Sequence, residues 1–323
     1  MARTSSVGHD HDRDRASRTS RAAARRAAAR RARMRKRLLL AAGAVLTVVA
    51  VTVTLVLVTT GRPGSASAPP SDGPTGAALA ATLHDLTTVP ASTLDAVGGG
   101  SLATADIGSA TAVGGGYLAP VTGSPLTAGG KPEVLYVGAG FCPYCAAVRW
   151  PLIVSLSRFG SFSGLAPDRS AVTAGSGQQE PYPATPTWTF YGSSYTSKYV
   201  TFTAVETSSS VPDRATGGYT ALQALTAAQQ AVLDRYDASN AIPFLDIGNK
   251  YVQMSVLSPY GPQDLADKTW SQIAAAVRDP SSALGRQIDA SANYITAAIC
   301  TLTGNQPASA CTQAVRLLQP RLG

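Results

Sequence analysis

Histidine is scarce in this 323-residue chain: there are three, His9, His11 and His84. None lies beyond residue 84, so imidazole zinc sites and Ser-His-Asp or Cys-His catalysis are excluded from most of the sequence. Cysteine is confined to four positions, Cys142, Cys145, Cys300 and Cys311. A zinc site built from four cysteines needs two close pairs, and Cys300 and Cys311 are spaced too widely to supply the second, so no metal is expected. Charged residues make up only 14% of the chain against 45% hydrophobic residues, a balance that suits one or two packed domains rather than global disorder.

What charge there is crowds one end. From Arg3 to Arg37 there are 13 Lys or Arg against Asp10, Asp12 and Asp14, so this tail carries +10 and the remainder −2 of the net +8. The folded part has no basic surplus, and nucleic acid is not an expected partner. The tail is expected to orient a membrane helix and touch anionic lipid instead. Leu38 to Thr60 follows as 23 uncharged residues, enough at 1.5 Å per residue to cross about 30 Å of hydrocarbon. A cleavable signal peptide would have a shorter apolar core, so a retained anchor is predicted. Arg35, Lys36 and Arg37 precede this run and only Arg62 follows closely, which predicts a single-pass plasma membrane protein with a cytoplasmic N-terminus and an extracytoplasmic C-terminal domain. Residues 38–60 then contact lipid, and all four cysteines lie where disulfides persist.

The composition divides the chain into a basic cytoplasmic tail (1–37), a transmembrane helix (38–60), a flexible linker rich in Pro, Gly and Ser (61–76), a Gly/Ala-rich approach segment (77–130) and an α/β domain (131–323). The approach segment is expected to be mostly loop, with Ser92 and Asp95 capping at most one helical turn. Val134 to Val137 predicts a buried strand. Val148, Leu152, Leu156 and Phe159 predict a helix kinked at Pro151, whose first turn holds the CxxC. Residues 187–191 and 199–205 are aromatic and β-branched and predict a hairpin. A helix over 221–236, a strand pair over 244–247 and 251–256, and helices over 269–277 and 283–299 complete the expected order.

Placement of Cys142 and Cys145 at a helix start points to redox chemistry. A disulfide closing so short a loop adds little stability, whereas unpaired N–H groups and the helix dipole lower a thiol pKa there. Cys142 is then the exposed nucleophile and Cys145 the buried resolving thiol. Cys300 and Cys311 bracket a turn-rich loop and are expected to form a structural disulfide worth roughly 2 to 3 kcal/mol, with an electron relay as the alternative.

The Cys142-Pro143-Tyr144-Cys145 motif and the segment Ile242 to Gly248, IPFLDIG, resemble the thioredoxin superfamily. More narrowly, GKPEVLYVGAGFCPYCAAVRW, LSRFGSFSGL, YTSKYVTF, IPFLDIGNKY and ANYITAAIC with the later Cys311 resemble the thioredoxin-like family catalogued as domain of unknown function 929. The resemblance implies a thioredoxin-like central mixed sheet flanked by helices, with extra C-terminal helices. It implies that Ile242-Pro243 is a cis-proline loop packed against the CxxC, and that Pro143, Tyr144, Ile242 and Pro243 contact substrate. Relatives commonly carry acidic residues where Gly140 and Val148 stand, so proton transfer here would fall to Glu133, Asp246 or water. The function expected is thiol-disulfide exchange with cysteine-containing exported proteins, recycled by a membrane or envelope redox partner and needing no cofactor. The alternative is a binding or scaffolding module with an idle CxxC, and a thiol carrier for cytochrome maturation or metal delivery is a third.

Overall fold

The computed structural model describes residues 72–103, 117–254 and 260–322. The basic tail and the 38–60 run lie outside these residues. Among the described residues no helix is long and apolar enough to cross a membrane.

The chain enters through two helices, α1 (Gly76–Thr87) and α2 (Ala91–Val97). The sequence pattern predicts loop here, and the difference has a physical cause. Leu79, Leu83 and Leu86 sit at helical spacing, and Leu86 and Leu94 are fully buried in the main core. Burial against the helices that follow outweighs a local composition rich in Ala, Thr and Gly.

A mixed sheet forms the centre. Its short strands β1 (Ala119–Pro120) and β2 (Thr127–Ala128) lead into β3 (Lys131–Gly138), whose last five residues are all buried. The CxxC helix α3 (Pro143–Ser157) follows and continues through Pro151. Next come β4 (Gly160–Ser163), β5 (Ala166–Arg169), β6 (Pro186–Thr189) and β7 (Ser194–Ser197), an excursion in which β4 pairs with β7 and β5 with β6. β8 (Thr201–Glu206) returns to lie parallel to β3. The expected hairpin between 187–191 and 199–205 therefore does not form. The short polar strands β4 and β5 take its first arm and the intervening residues, leaving the second arm free to join the central sheet.

A second hairpin, β9 (Ser208–Asp213) with β10 (Gly218–Ala221), precedes α4 (Ala227–Tyr236). Thr226 and Gln229 cap α4 reciprocally, so it starts later than hydrophobic spacing alone predicts. β11 (Phe244–Ile247) and β12 (Tyr251–Met254) are the expected pair, with β11 antiparallel to β3. Ser255 and Val256, predicted to extend β12, lie outside the described residues. The short helices α5 (Pro262–Leu265) and α6 (Trp270–Ala276), the long α7 (Ala283–Leu302) and α8 (Gln313–Arg316) complete the chain.

Alternation along β3 separates two apolar layers. Val134 and Tyr136 join the large core that holds α3 and α7, whereas Leu135 and Val137 join Phe244, Val252 and Leu233 of α4 in a smaller one. With both faces covered, the C-terminal end of β3 leads directly into the start of α3, which is where the CxxC sits.

Candidate functional site

Cys142 is the N-cap of α3, and Pro143 occupies the first helical position, where its fixed φ and missing N–H cost nothing. The Cys145 N–H donates to Cys142 Sγ at 3.2 Å, and the Cys142 thiol faces the Ile242 carbonyl at 3.9 Å. These contacts pull the two thiols apart electrostatically. A hydrogen bond from the Cys145 thiol holds Cys142 below the usual thiol range; burial opposes it, and the Cys145 N–H and the Arg149 charge reinforce it. Burial pushes Cys145 well up, aided by the hydrogen bond it gives to Cys142. Cys142, expected to be exposed, is buried with Cys145 at 6% against 0% exposure, because Phe141, Tyr144 and Ile242 pack over it; the two thiols differ in their hydrogen bonds rather than in access to solvent.

Ile242, Phe141 and Tyr144 pack around the pair, and the Ile242-Pro243 peptide bond is cis. Phe141 stacks on Tyr219 of β10 with ring centroids 4.1 Å apart, and Tyr144 meets Tyr182 edge-on at 5.8 Å. Pro143 and Pro243 are buried, whereas Tyr144 and Ile242 are half-buried and stand at the rim. The start of β9 and the excursion after α3 also clamp the backbone before the motif. Gly140 N–H donates to Ser208 O at 2.7 Å, Thr207 N–H to Gly138 O at 2.8 Å and Ala171 N–H to Phe141 O at 3.0 Å. A Cβ at Gly140 would stand 2.9 Å from backbone atoms of Ser209 and Ser210, so β9 occupies the space an acidic side chain would need.

Beneath the cysteines lies a charged cluster that the motif alone does not reveal. Arg149, one turn after Cys145, is fully buried and donates through Nη2 to Ala139 O at 2.9 Å. Its Nε lies 3.0 Å from Glu206 Oε1, an ion pair by distance although the N–H is not aligned with the oxygen. Glu206 also accepts from Thr189 Oγ1 at 2.5 Å and Phe190 N–H at 3.0 Å. Burial acts to lower the Arg149 pKa, but Glu206, Tyr136 and Cys145 outweigh it and the guanidinium stays charged. Asp168, 7% exposed, accepts from Arg169 N–H at 2.8 Å and Ser210 Oγ at 3.2 Å. Burial raises its pKa to about 6 against the pull of Arg149. It lines a cavity of about 240 Å³ together with Ala171, Val172 and Pro212.

Glu133 and Asp246, the carboxylates expected to move protons, are elsewhere. Strand alternation puts Glu133 on the β3 face shared with Leu135 and Val137, and Asp246 pairs with Leu135 in the register of β11, so both face the α4 layer. The charged group acting on both thiols is Arg149. A sequence signal for it existed: an Arg inside the otherwise apolar run from Ala146 to Val154 must be buried, and a buried Arg needs a carboxylate. Glu206, which closes the apolar strand β8, is its counterpart. At the far end of the domain Cys300 and Cys311 form a disulfide, with their Cα atoms 5.8 Å apart.

The family model described as domain of unknown function (DUF929) matches residues 117–301, more than half of the chain and inclusive of every residue of this corner. No curated protein and no solved structure matches the sequence.

Proposed function

The chain belongs to the family described as domain of unknown function (DUF929), and from the geometry of the CxxC corner we propose that it is a membrane-anchored, extracytoplasmic thiol-disulfide oxidoreductase. The observation that carries this is the opposed environment of two cysteines at one helix start. Cys142 accepts a backbone N–H and titrates low, and Cys145 is sealed beneath it and titrates high. This division suits attack by Cys142 on a substrate disulfide, or capture of a substrate thiol, followed by resolution through Cys145. A mixed sheet with the CxxC at the strand-to-helix junction of its middle strand supports the thioredoxin-like reading. So does the placement of Ile242 and Pro243 beside Cys142. The Cys300–Cys311 disulfide supports an oxidising compartment, in line with an anchor over residues 38–60 that leaves the N-terminus cytoplasmic. The partners proposed are cysteine-containing exported proteins and an envelope component that recycles the dithiol.

Burial of Cys142 under Phe141, Tyr144 and Ile242 favours a second reading, a binding module whose thiols stay idle. One experiment separates the two. Full-length protein in detergent is equilibrated in glutathione buffers, free thiols are alkylated, and the Cys142–Cys145 disulfide is quantified by mass spectrometry. Membranes of cells carrying Cys145→Ser are run on non-reducing gels in parallel. Reversible disulfide formation with trapped partners that vanish in Cys142→Ser supports the oxidoreductase. A folded, exported protein that neither exchanges nor traps leaves the binding module.

A further inference from the structure

Two buried polar groups at the corner that carries the CxxC lack partners. The Tyr136 hydroxyl and Arg149 Nη1 are buried donors with no hydrogen-bond acceptor. Buried donors in native proteins are almost always paired, so two orphans in one place require a reason. Both converge on the corner where β3 turns into α3. The Tyr136 hydroxyl lies over Gly138, so close that a Cβ there would collide with it. Arg149 is tied to the next residue through Ala139 O, and its guanidinium carbon is 5.8 Å from the Tyr136 ring centroid. Ala139 packs directly with Cys142 and Cys145. Arg149 follows Cys145 by four residues on α3, so the two share a helix face.

We propose that the Tyr136 hydroxyl and Arg149 Nη1 form a preformed anion site for the thiolate of Cys145, making Tyr136 and Arg149 positioning residues for the resolving step. The inference rests on the redox reading above. Cys145 is fully buried, and a sulfur anion sealed from water is costly unless donors meet it. Donors fixed in advance at the place where charge develops stabilise it without rearrangement. The other charged and titratable groups around the corner are Cys142 and Tyr144 at the start of α3, Glu206 of β8, Asp168 of β5, and Tyr219 of β10 with the Glu180 it donates to. Glu206 is turned toward Thr189 and Phe190 and Asp168 toward Ser210, which leaves the cationic end of the Arg149–Glu206 pair toward the sulfur.

In the resolving step the Cys145 proton is lost to bulk solvent, and the thiolate left between the two donors attacks Cys142 Sγ of the mixed disulfide. The bond between the two enzyme sulfurs forms, and that between Cys142 and the substrate sulfur breaks. The electron pair leaves with the substrate sulfur, which takes a proton from solvent. Reversal expels the same Cys145 thiolate, so one anion site serves both directions.

The test uses full-length protein in detergent with oxidised glutathione as the probe. Tyr136→Phe, which deletes only the hydroxyl, should slow release of glutathione from Cys142 by about tenfold. In a Cys142→Ala background it should raise the Cys145 thiolate midpoint by about one unit. Alkylation of Cys142 should be unchanged. Gly138→Ala, which drives the Tyr136 ring aside, should reproduce both effects and covers the case in which Tyr136→Phe does not fold. A hydroxyl with a merely structural role would alter the melting temperature and leave both readouts where they were, and that result overturns the proposal. If the wild-type protein never forms the Cys142–Cys145 disulfide, the redox reading fails with it; if it cycles normally while the variants match it, only the anion site fails.

Discussion

Severing the ion pair between Arg149 and Glu206 should be among the most damaging single changes available to this domain. The two side chains are 0% and 1% exposed, so water cannot take over from a missing partner. Arg149→Met would leave Glu206 with two hydrogen bonds, from Thr189 and Phe190, and no cation. Glu206→Gln would leave Arg149 with the Ala139 carbonyl alone. Removing one member of such a buried pair costs about 3 to 5 kcal/mol. For a domain of this size that corresponds to a fall of roughly 6 to 20 °C in Tm. Removing both charges together leaves no uncompensated ion, and the amide that replaces the Glu206 carboxylate keeps an acceptor for Phe190 and Thr189. The double variant should therefore be much less destabilised than the sum of the singles, with a coupling energy of roughly 2 kcal/mol or more. Thermal unfolding followed by circular dichroism on the four proteins of the cycle measures this. Single variants that each lose less than about 1 kcal/mol and simply add would refute the reasoning, because only a solvated pair behaves that way.

Asp289 offers a pH test. It is fully buried on α7, neither carboxylate oxygen has a hydrogen-bond partner, and burial raises its pKa from 3.8 to about 8, only partly opposed by Arg158. A carboxyl that holds its proton more tightly when folded supports the native state fully below the unfolded pKa and loses that support as pH rises toward the folded one. Asp289→Asn should accordingly gain stability relative to wild type between about pH 4 and pH 8, by at most about 1.4 kcal/mol per unit, and an unchanged Tm difference across pH-stepped melts would contradict it. Replacing Cys300 and Cys311 together by serine opens a loop with a sequence separation of 11. The loss should be about 3 kcal/mol. Glutathione exchange at Cys142 should be unaffected, and altered exchange kinetics in a folded variant would point to an electron relay rather than a staple.

Several elements were legible because a single local rule governs them. The apolar run Val134 to Val137 is β3, the helical spacing of Val148, Leu152 and Leu156 is α3, and the turn at Gly248 and Asn249 joins β11 to β12. The helix α7 follows from one stripe of Ile and Ala at helical spacing. Less legible were the true partners of 187–191 and 199–205, since adjacency in sequence favours a hairpin between them while β4 and β5 are too short and polar to announce themselves. The helices α1 and α2 were hidden likewise, because their stability comes from Leu86 and Leu94 meeting a core built by residues almost two hundred positions later.

The sequence by itself determined where the paired sulfur lies: two cysteines at a helix start, in a chain with no histidine after residue 84. It also determined the apolar segments, their order and the concentration of positive charge in the first 37 residues. Only the tertiary structure decided what surrounds the sulfur. Arg149 comes from α3, Glu206 from β8, Asp168 from β5, Tyr136 from β3 and Ile242 from the turn before β11. Their electrostatic effect on the thiols depends on distance and burial rather than on separation along the chain. For that reason the carboxylates that looked nearest in sequence logic, Glu133 and Asp246, face the α4 layer, and an arginine takes their place beside the cysteines.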